Sequence, residues 1–189
     1  MLKAVRCSLF LAGCFGFISV AATAQQVVHA LTGTVSSINT ASKTISVFQD
    51  NGDQNSFSDG TSSKAKLNID KKVVLDTTAA DVFKKTGAYV VVLYYGNDTD
   101  RTAVALKNLG TGPFTSATGT VVKFEGKRAI YVQDSSGTTQ TFKITQDTIG
   151  EGYLGAVDGY KFQVSKGDKV RIVASKDGSE ATALFVRLM

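Results

Sequence analysis

The sequence predicts an all-β protein made of two tandem five-stranded β-barrels, with at most one short helix in each repeat. The chain has 189 residues, of which 43% are hydrophobic and 20% are charged, and this is the composition of a folded protein. Short runs of alternating polar and apolar residues recur between turn residues about every 8–12 positions, which is typical of small barrels and sandwiches. Segments of the first half also recur, in the same order, in the second half.

The internal repeat begins with Thr-Gly-Thr-Val at 32–35, which recurs at 118–121. The pair Ile45 and Val47 recurs as Ile130 and Val132, and the matches that follow keep their order. Chance does not usually preserve both order and spacing in this way. We therefore expect one repeat at 27–109 and a second at 115–189, joined by a linker at 110–114 that holds the only proline.

Five strands are expected in each repeat. In the first repeat they fall at 28–38, 43–49, 54–59, 88–95 and 101–109, and in the second at 116–125, 128–134, 138–143, 168–175 and 180–188. Gly52 and Gly137 lie in polar turns between the second and third strands, where glycine supplies the positive φ that tight hairpins need. Phe57 and Phe142 match between the two third strands and are expected to point inward.

The connection between the third and fourth strands predicts a helix in the first repeat only. Thr78 and Asp81 suit a helix N-terminus and Gly87 suits a helix end, which predicts a helix at 78–86. Three strands, a helix and two strands is the element order of the OB-fold. The second repeat has a glycine-rich stretch at 150–159 instead, where helix propensity is poor.

The combined pattern resembles a known group of proteins. Gly-Thr-Val, the Ile-x-Val strand, a glycine hairpin, a phenylalanine strand, Lys-Gly-Asp-Lys-Val at 166–170 and a final Ala-x-Ala-Leu are similar to the uncharacterised OB-like β-barrel families of the bacterial envelope. The resemblance covers nearly all of 27–189. It implies a small exported β-barrel protein, and it brings neither a reaction nor a catalytic residue.

The first 24 residues predict a secretory signal peptide. Lys3 and Arg6 precede an apolar run at 7–20, and Ala-Thr-Ala at 22–24 forms a small-x-small cleavage site. The run is shorter than the roughly 20 residues that a membrane-spanning helix needs, and no later stretch is a candidate. We expect cleavage after Ala24 and a periplasmic or secreted protein; the alternative is a lipoprotein anchored at Cys14, since Leu-Ala-Gly-Cys at 11–14 resembles a lipobox.

Residue scarcity excludes several kinds of chemistry. The chain has one histidine, no tryptophan and two cysteines, and both cysteines lie in the predicted signal peptide. A zinc site, a Cys–His nucleophile or a Ser–His–Asp triad needs more than this. We therefore expect a protein that is not an enzyme and has no cofactor or metal, with His29 as a lone imidazole.

Acidic residues in loops are interpreted as turn residues rather than as ligands or catalysts. The stretches 50–53 and 98–100 contain paired aspartates but lack the spacing and the closing glutamate of a calcium loop. Asp147 and Glu151 flank the glycine-rich stretch, where we expect them to be solvated.

The fourth strands differ on their outward faces. The inward positions are apolar in both repeats. The outward face of the first copy is formed by Tyr89, Val91, Leu93 and Tyr95, whereas the second copy has Lys169, Arg171, Val173 and Ser175, which predicts one wet face. We expect the four apolar residues of the first copy to pack against the second repeat or a second molecule; the alternative is that the helix at 78–86 covers them.

The candidate ligand site lies on the second and third strands, where OB-folds hold bases or sugars. The candidate residues are Phe48, Tyr131, Lys123, Arg128 and Lys143. Single exposed aromatics are also common on sheets that bind nothing. The scattered positive charge does not favour nucleic acid. The sequence thus indicates a binding module for an unknown protein or for a glycan of the envelope; the alternative is a structural protein that assembles through strand 88–95.

Overall fold

A computed structural model describes residues 26–39, 41–49, 64–70, 86–97, 100–110, 112–177 and 180–189. The predicted signal peptide, strand 54–59, the turn at Gly52 and the predicted helix at 78–86, apart from its last residue, lie outside these ranges. All regular secondary structure within them is β-strand. No helix of the described residues is long and apolar enough to cross a membrane.

The first barrel is formed by the strands β1 (His29–Asn39), β2 (Thr44–Gln49), β3 (Lys64–Ile69), β4 (Tyr89–Tyr95) and β5 (Thr102–Gly110). These strands close in the order β1-β2-β3-β5-β4. The pairings are antiparallel except for β3 with β5, which is parallel. A closed five-stranded barrel with this mixture of pairings is OB-like.

The third strand of the first barrel is β3 at 64–69, whereas the predicted third strand, 54–59, lies outside the described residues. Ala65 and Leu67 are buried and alternate with exposed lysines. Leu67 lies opposite Ile45, just as Phe142 lies opposite Ile130 in the second barrel. By strand pairing, the residue of the first barrel that corresponds to Phe142 is therefore Leu67, a correspondence that the sequence had assigned to Phe57.

The second barrel has the strands β6 (Phe114–Phe124), β7 (Ala129–Gln133), β8 (Thr139–Lys143), β11 (Lys169–Asp177) and β12 (Glu180–Leu188). They pair in the same order as the first barrel, and the parallel pairing of β12 with β8 closes the ring. Two further strands, β9 (Ile149–Gly152) and β10 (Gly155–Asp158), form a hairpin that pairs with β12. The glycine-rich stretch at 150–159 is thus a β-hairpin in place of a helix.

Each barrel has its own core, and the predicted inward positions fill it. In the first barrel these include Ile45, Val47, Val90, Val92 and Tyr94; in the second they include Ile130, Val132, Phe142, Val170, Ile172 and Ala174. The alternation rule is confirmed at these positions. Full burial of one such side chain contributes about 1.5–3 kcal/mol, so each core stabilises its own barrel.

The repeated Thr-Gly-Thr-Val motif has a structural reason. A Cβ on Gly33 would overlap the backbone carbonyl of Phe48, and a Cβ on Gly119 would overlap the backbone carbonyl of Gln133. The first and second strands of each barrel approach so closely at this point that only glycine fits. Gly137 has a φ of 85°, which confirms the predicted hairpin turn.

The barrels pack against each other through a third apolar cluster. The first barrel contributes Ala30, Tyr89 and Val91, and the second contributes Val173 and Phe185. The Tyr89 and Phe114 rings lie 4.9 Å apart between centroids, tilted by 37°. All five residues of the cluster are at most 4% exposed, so this surface is as dry as the two barrel cores.

Candidate functional site

Three of the four residues on the apolar face of β4 lie between the barrels. Tyr89 and Val91 are buried in the cluster with Val173 and Phe185, and Leu93 packs against its edge. Tyr95 lies apart from the cluster, and its hydroxyl donates a hydrogen bond to Asp70 Oδ2 at 3.0 Å. That hydrogen bond raises the pKa of Tyr95, because it stabilises the protonated phenol beside a carboxylate.

The prediction that the outward face of β11 is exposed to solvent is wrong at two positions. Val173 is fully buried, and Arg171 is only 4% exposed. The Nη1 of Arg171 donates to the hydroxyl of Thr32 at 3.3 Å, across the junction between the barrels. Alternation along β11 gave the correct direction for both side chains, but it could not show that the first barrel covers this side.

Glu151 is also buried, which corrects the expectation of a solvated loop residue. Its Oε2 accepts a hydrogen bond from the backbone N–H of Ala30 at 2.6 Å. Its Oε1 lies 3.0 Å from the Nδ1 of His29. Both partners come from the first strand of the first barrel, 121 and 122 residues away in sequence, so no local pattern could have indicated them.

The only histidine of the sequence therefore lies at the junction of the barrels. His29 is partly exposed, and its ring centroid is 5.8 Å from that of Tyr94. Within the described ranges, no three His, Cys, Asp or Glu side chains come together as a metal-binding group.

The open polar side of the second barrel is the outer face of β6, β7 and β8, which we call the β6–β8 face. It carries Lys123, Ala129, Tyr131, Thr141 and Lys143. Tyr131 occupies its centre, since it lies opposite Lys123 on β6 and opposite Thr141 on β8. Lys143 lies opposite Ala129 at the end of the same face. Four of the five predicted ligand residues thus lie together here, with Arg128 immediately before β7.

The ring of Tyr131 is held by charged neighbours. The Nζ of Lys123 lies 5.2 Å from the ring centroid and 2.5 Å from Glu125 Oε1. The Tyr131 hydroxyl donates to Glu125 Oε2 at 3.4 Å. Hydrogen bonding between the two charged groups raises the pKa of Lys123 and lowers the pKa of Glu125. These contacts orient the ring of Tyr131.

A shallow groove of about 350 Å³ lies at the end of this face, where β8 meets β12. It is lined by Arg128, Ala129, Thr141, Lys143, Glu180 and Ala181. The Arg128 and Lys143 side chains are exposed, and no ion pair joins either of them to another described residue. Guanidinium, ammonium and hydroxyl groups around a groove can hold an anionic or hydroxyl-rich ligand by charge-assisted hydrogen bonds.

Phe48 does not belong to this arrangement. It lies on the first barrel and pairs with Thr34 and Lys64. By strand pairing its counterpart in the second barrel is Gln133, which lies opposite Thr120, whereas the counterpart of Tyr131 is Ser46. The two aromatics are therefore not copies of one repeated site.

Sequence reasoning missed Glu125 and Glu180 as parts of this region. Glu125 follows β6, and its role depends on which way the Tyr131 hydroxyl points. Glu180 reaches the groove because β12 pairs with β8 in parallel. A local pattern carries no signal for such a pairing, since the two strands are far apart in sequence.

Comparison with known proteins shows a structural likeness to part of the chain. No protein-family model matches the chain, and no curated protein matches it. The crystal structure of Ag(I)CusF is similar to part of the fold, with 21% sequence identity over 40% of this chain and 97% of that chain and a TM-score of 0.30.

Proposed function

We propose that this protein is an exported, non-catalytic binding module and that its ligand occupies the β6–β8 face of the second barrel. One observation carries the proposal: the oriented ring of Tyr131 lies on the same face as a groove that presents the cations Arg128 and Lys143. The predicted signal peptide at 1–24 supports export.

The chemistry of the face favours an acidic glycan. An aromatic ring offers an apolar surface to the carbon–hydrogen face of a sugar, and OB-folds use the corresponding strands for oligosaccharides. Arg128 and Lys143 are placed to pair with a carboxylate or phosphate on that sugar. Thr141 adds a hydroxyl between the ring and the cations.

The alternative, assembly through strand 88–95, has less support. It requires the face formed by Tyr89, Val91 and Leu93 to be available to another molecule. The second barrel of the same chain covers these residues. If the protein is a binding module, Leu93→Lys lowers its stability without changing its oligomeric state. If it assembles through strand 88–95, the same substitution dissociates the oligomer. Analytical sedimentation distinguishes the two results.

The test begins with a thermal-shift screen of acidic and neutral oligosaccharides. A ligand at 100 times its Kd stabilises the folded state by about 2.7 kcal/mol, which is an easily measured shift. Calorimetry on variants then locates the site. We expect Tyr131→Ala to weaken binding by about tenfold or more, which is the size of effect found when an aromatic ring that stacks on a nucleic-acid base is removed. We expect Arg128→Ala with Lys143→Ala to remove most of the salt dependence of binding.

The matched control is Phe48→Ala, which removes a half-buried aromatic from the corresponding side of the first barrel. It should leave affinity unchanged. Equal losses for Phe48→Ala and Tyr131→Ala, or tight binding that survives removal of both cations, would place the ligand elsewhere and overturn the proposal.

A further inference from the structure

The groove at the end of the β6–β8 face contains a carboxylate as well as two cations. Glu180 is the first residue of β12, is exposed, and lines the groove together with Arg128 and Lys143. The function proposed above uses the two cations and gives Glu180 no role. A groove that presents charges of both signs is complementary to a ligand that also carries both.

Strand pairing places Glu180 on the same outer side of the barrel as Lys143. Ala181 lies opposite Phe142 in the parallel pairing of β12 with β8, and both side chains pack in the core of the second barrel. Because side chains alternate along a strand, the neighbouring residues Glu180 and Lys143 point outward. The carboxylate and the ammonium group therefore come from adjacent strands.

The Glu180 carboxylate is not neutralised by the cations that share its groove. Long side chains at diagonal positions of neighbouring strands can meet. Nevertheless, within the part of the chain that the structure describes, no ion pair or hydrogen bond joins the Glu180 carboxylate to Arg128, Lys143 or another side chain. Two positive charges and one negative charge thus line the groove separately, with a net charge of +1.

The groove is continuous with the aromatic centre of the face. Thr141 lies opposite Tyr131 on paired strands, and Thr141 also lines the groove. A sugar ring that stacks on Tyr131 is therefore adjacent to the charged side chains of the groove. The groove volume of about 350 Å³ is near the lower end of the range for ligand pockets, which suits a single charged unit.

We propose that the ligand of this face is an amino sugar that carries a free amine together with a phosphate or a carboxylate. Arg128 and Lys143 bind the anionic group, and the protonated amine donates hydrogen bonds to Glu180. The inference rests on the proposed function, because it adds a second charged group to the acidic glycan proposed there.

Two sugar phosphates that differ in one group test the role of Glu180. Glucosamine 6-phosphate has an amine where glucose 6-phosphate has a hydroxyl, and at about pH 6 this amine is protonated. If the two cations acted alone, the more negative glucose 6-phosphate would bind more tightly. We expect the opposite order, with a preference of about threefold for glucosamine 6-phosphate. NMR titration of the isotope-labelled full chain measures both values of Kd and shows which backbone amides respond.

Substitutions at Glu180 should reverse this order of affinity. Glu180→Gln keeps the size of the side chain and removes its charge, so this variant should prefer glucose 6-phosphate. Glu180→Lys adds a third cation and should strengthen that preference. Asp147→Asn is the matched control, because it neutralises a carboxylate that is 94% exposed and does not line the groove, and it should keep the preference for glucosamine 6-phosphate.

Phosphoethanolamine separates the contribution of the sugar ring from that of the two charges. It carries a phosphate and an amine but has no ring to stack on Tyr131. We expect it to bind more weakly than glucosamine 6-phosphate by roughly threefold or more, since the apolar contact with the aromatic ring is lost.

The outcomes separate this inference from the function on which it rests. Binding at the groove without a preference for glucosamine 6-phosphate, or a preference that survives Glu180→Gln, overturns the inference and leaves the acidic glycan in place. Equal affinity for phosphoethanolamine overturns the assignment to an amino sugar and assigns the groove to the two charges alone. The absence of any response at the groove to either sugar phosphate overturns both proposals.

Discussion

The two barrels have the same frame and different outer surfaces. Each closes five strands in the same pairing order, and each has a glycine at the close crossing of its first two strands, Gly33 in one and Gly119 in the other. On the outside they diverge. The central position of the β6–β8 face is Tyr131 in the second barrel, and its counterpart in the first is Ser46.

The comparison shows that the interior residues are alike and form the two barrels, whereas the exterior residues differ and give each face of a barrel a different role. The outward sides of β4 and β11 are joined in one dry cluster, so each barrel has lost one surface to the other. The β6–β8 face of the second barrel stays open and polar. A single sheet architecture thus provides both an internal docking surface and a candidate ligand surface.

The largest effect is expected where the barrels meet. Val173→Asp places a carboxylate in the dry cluster beside Val91 and Phe185. A carboxylate buried among apolar side chains should lower the free energy of unfolding by more than about 3 kcal/mol, as measured by urea denaturation. Gln133→Asp makes the same type of change on the exposed outer side of β7, and it should leave stability within about 0.5 kcal/mol of the unsubstituted protein. Similar losses of stability in both variants would show that the cluster between the barrels tolerates a charge as well as the exposed side of β7 does.

A smaller and symmetrical effect is expected at the shared frame. Gly33→Ala and Gly119→Ala each force a Cβ against a backbone carbonyl, which should cost about 1–3 kcal/mol in either barrel. Gly152→Ala is the control, because its Cβ would meet nothing closer than 3.9 Å. Thermal unfolding of the three variants checks the comparison. A loss in only one barrel would mean that the two crossings are not equivalent.

The smallest effect is expected from a single buried carboxylate. Glu151→Gln keeps the size of the side chain but exchanges a charged acceptor of two hydrogen bonds for a neutral amide. We expect a loss of about 1–2 kcal/mol in the free energy of unfolding. Asp147→Asn neutralises a carboxylate that is 94% exposed and should change nothing measurable. If both variants unfold at the same urea concentration, the hydrogen bonds of Glu151 do not stabilise the contact between the barrels.

The sequence predicted those parts of the structure that depend on local alternation. Ile45, Ile130 and Ile172 repeat with the period of a strand, and each is buried in its barrel. Lys123 and Tyr131 were candidates because alternation turned them outward on adjacent strands. These features follow from residues that are close in sequence.

The rest depended on contacts between distant segments. Glu151 looked like a loop residue because its hydrogen-bond partners are in the first strand of the protein. Arg171 looked solvated because nothing near it in sequence indicates the barrel that covers it. Strand 64–69 was missed because the Phe57–Phe142 match was stronger than the short alternation of Ala65 and Leu67.

The attachment of β1 to the hairpin also sets an order of folding events. All strands of the first barrel are complete by Gly110, so this barrel can close while the rest of the chain is still being made. The bond from Ala30 to Glu151 spans 121 residues and must wait for the hairpin. Since contacts of such long sequence separation form late, the residues at 27–28, which precede β1 and bond to Ala156 of the hairpin, are among the last to reach their final place.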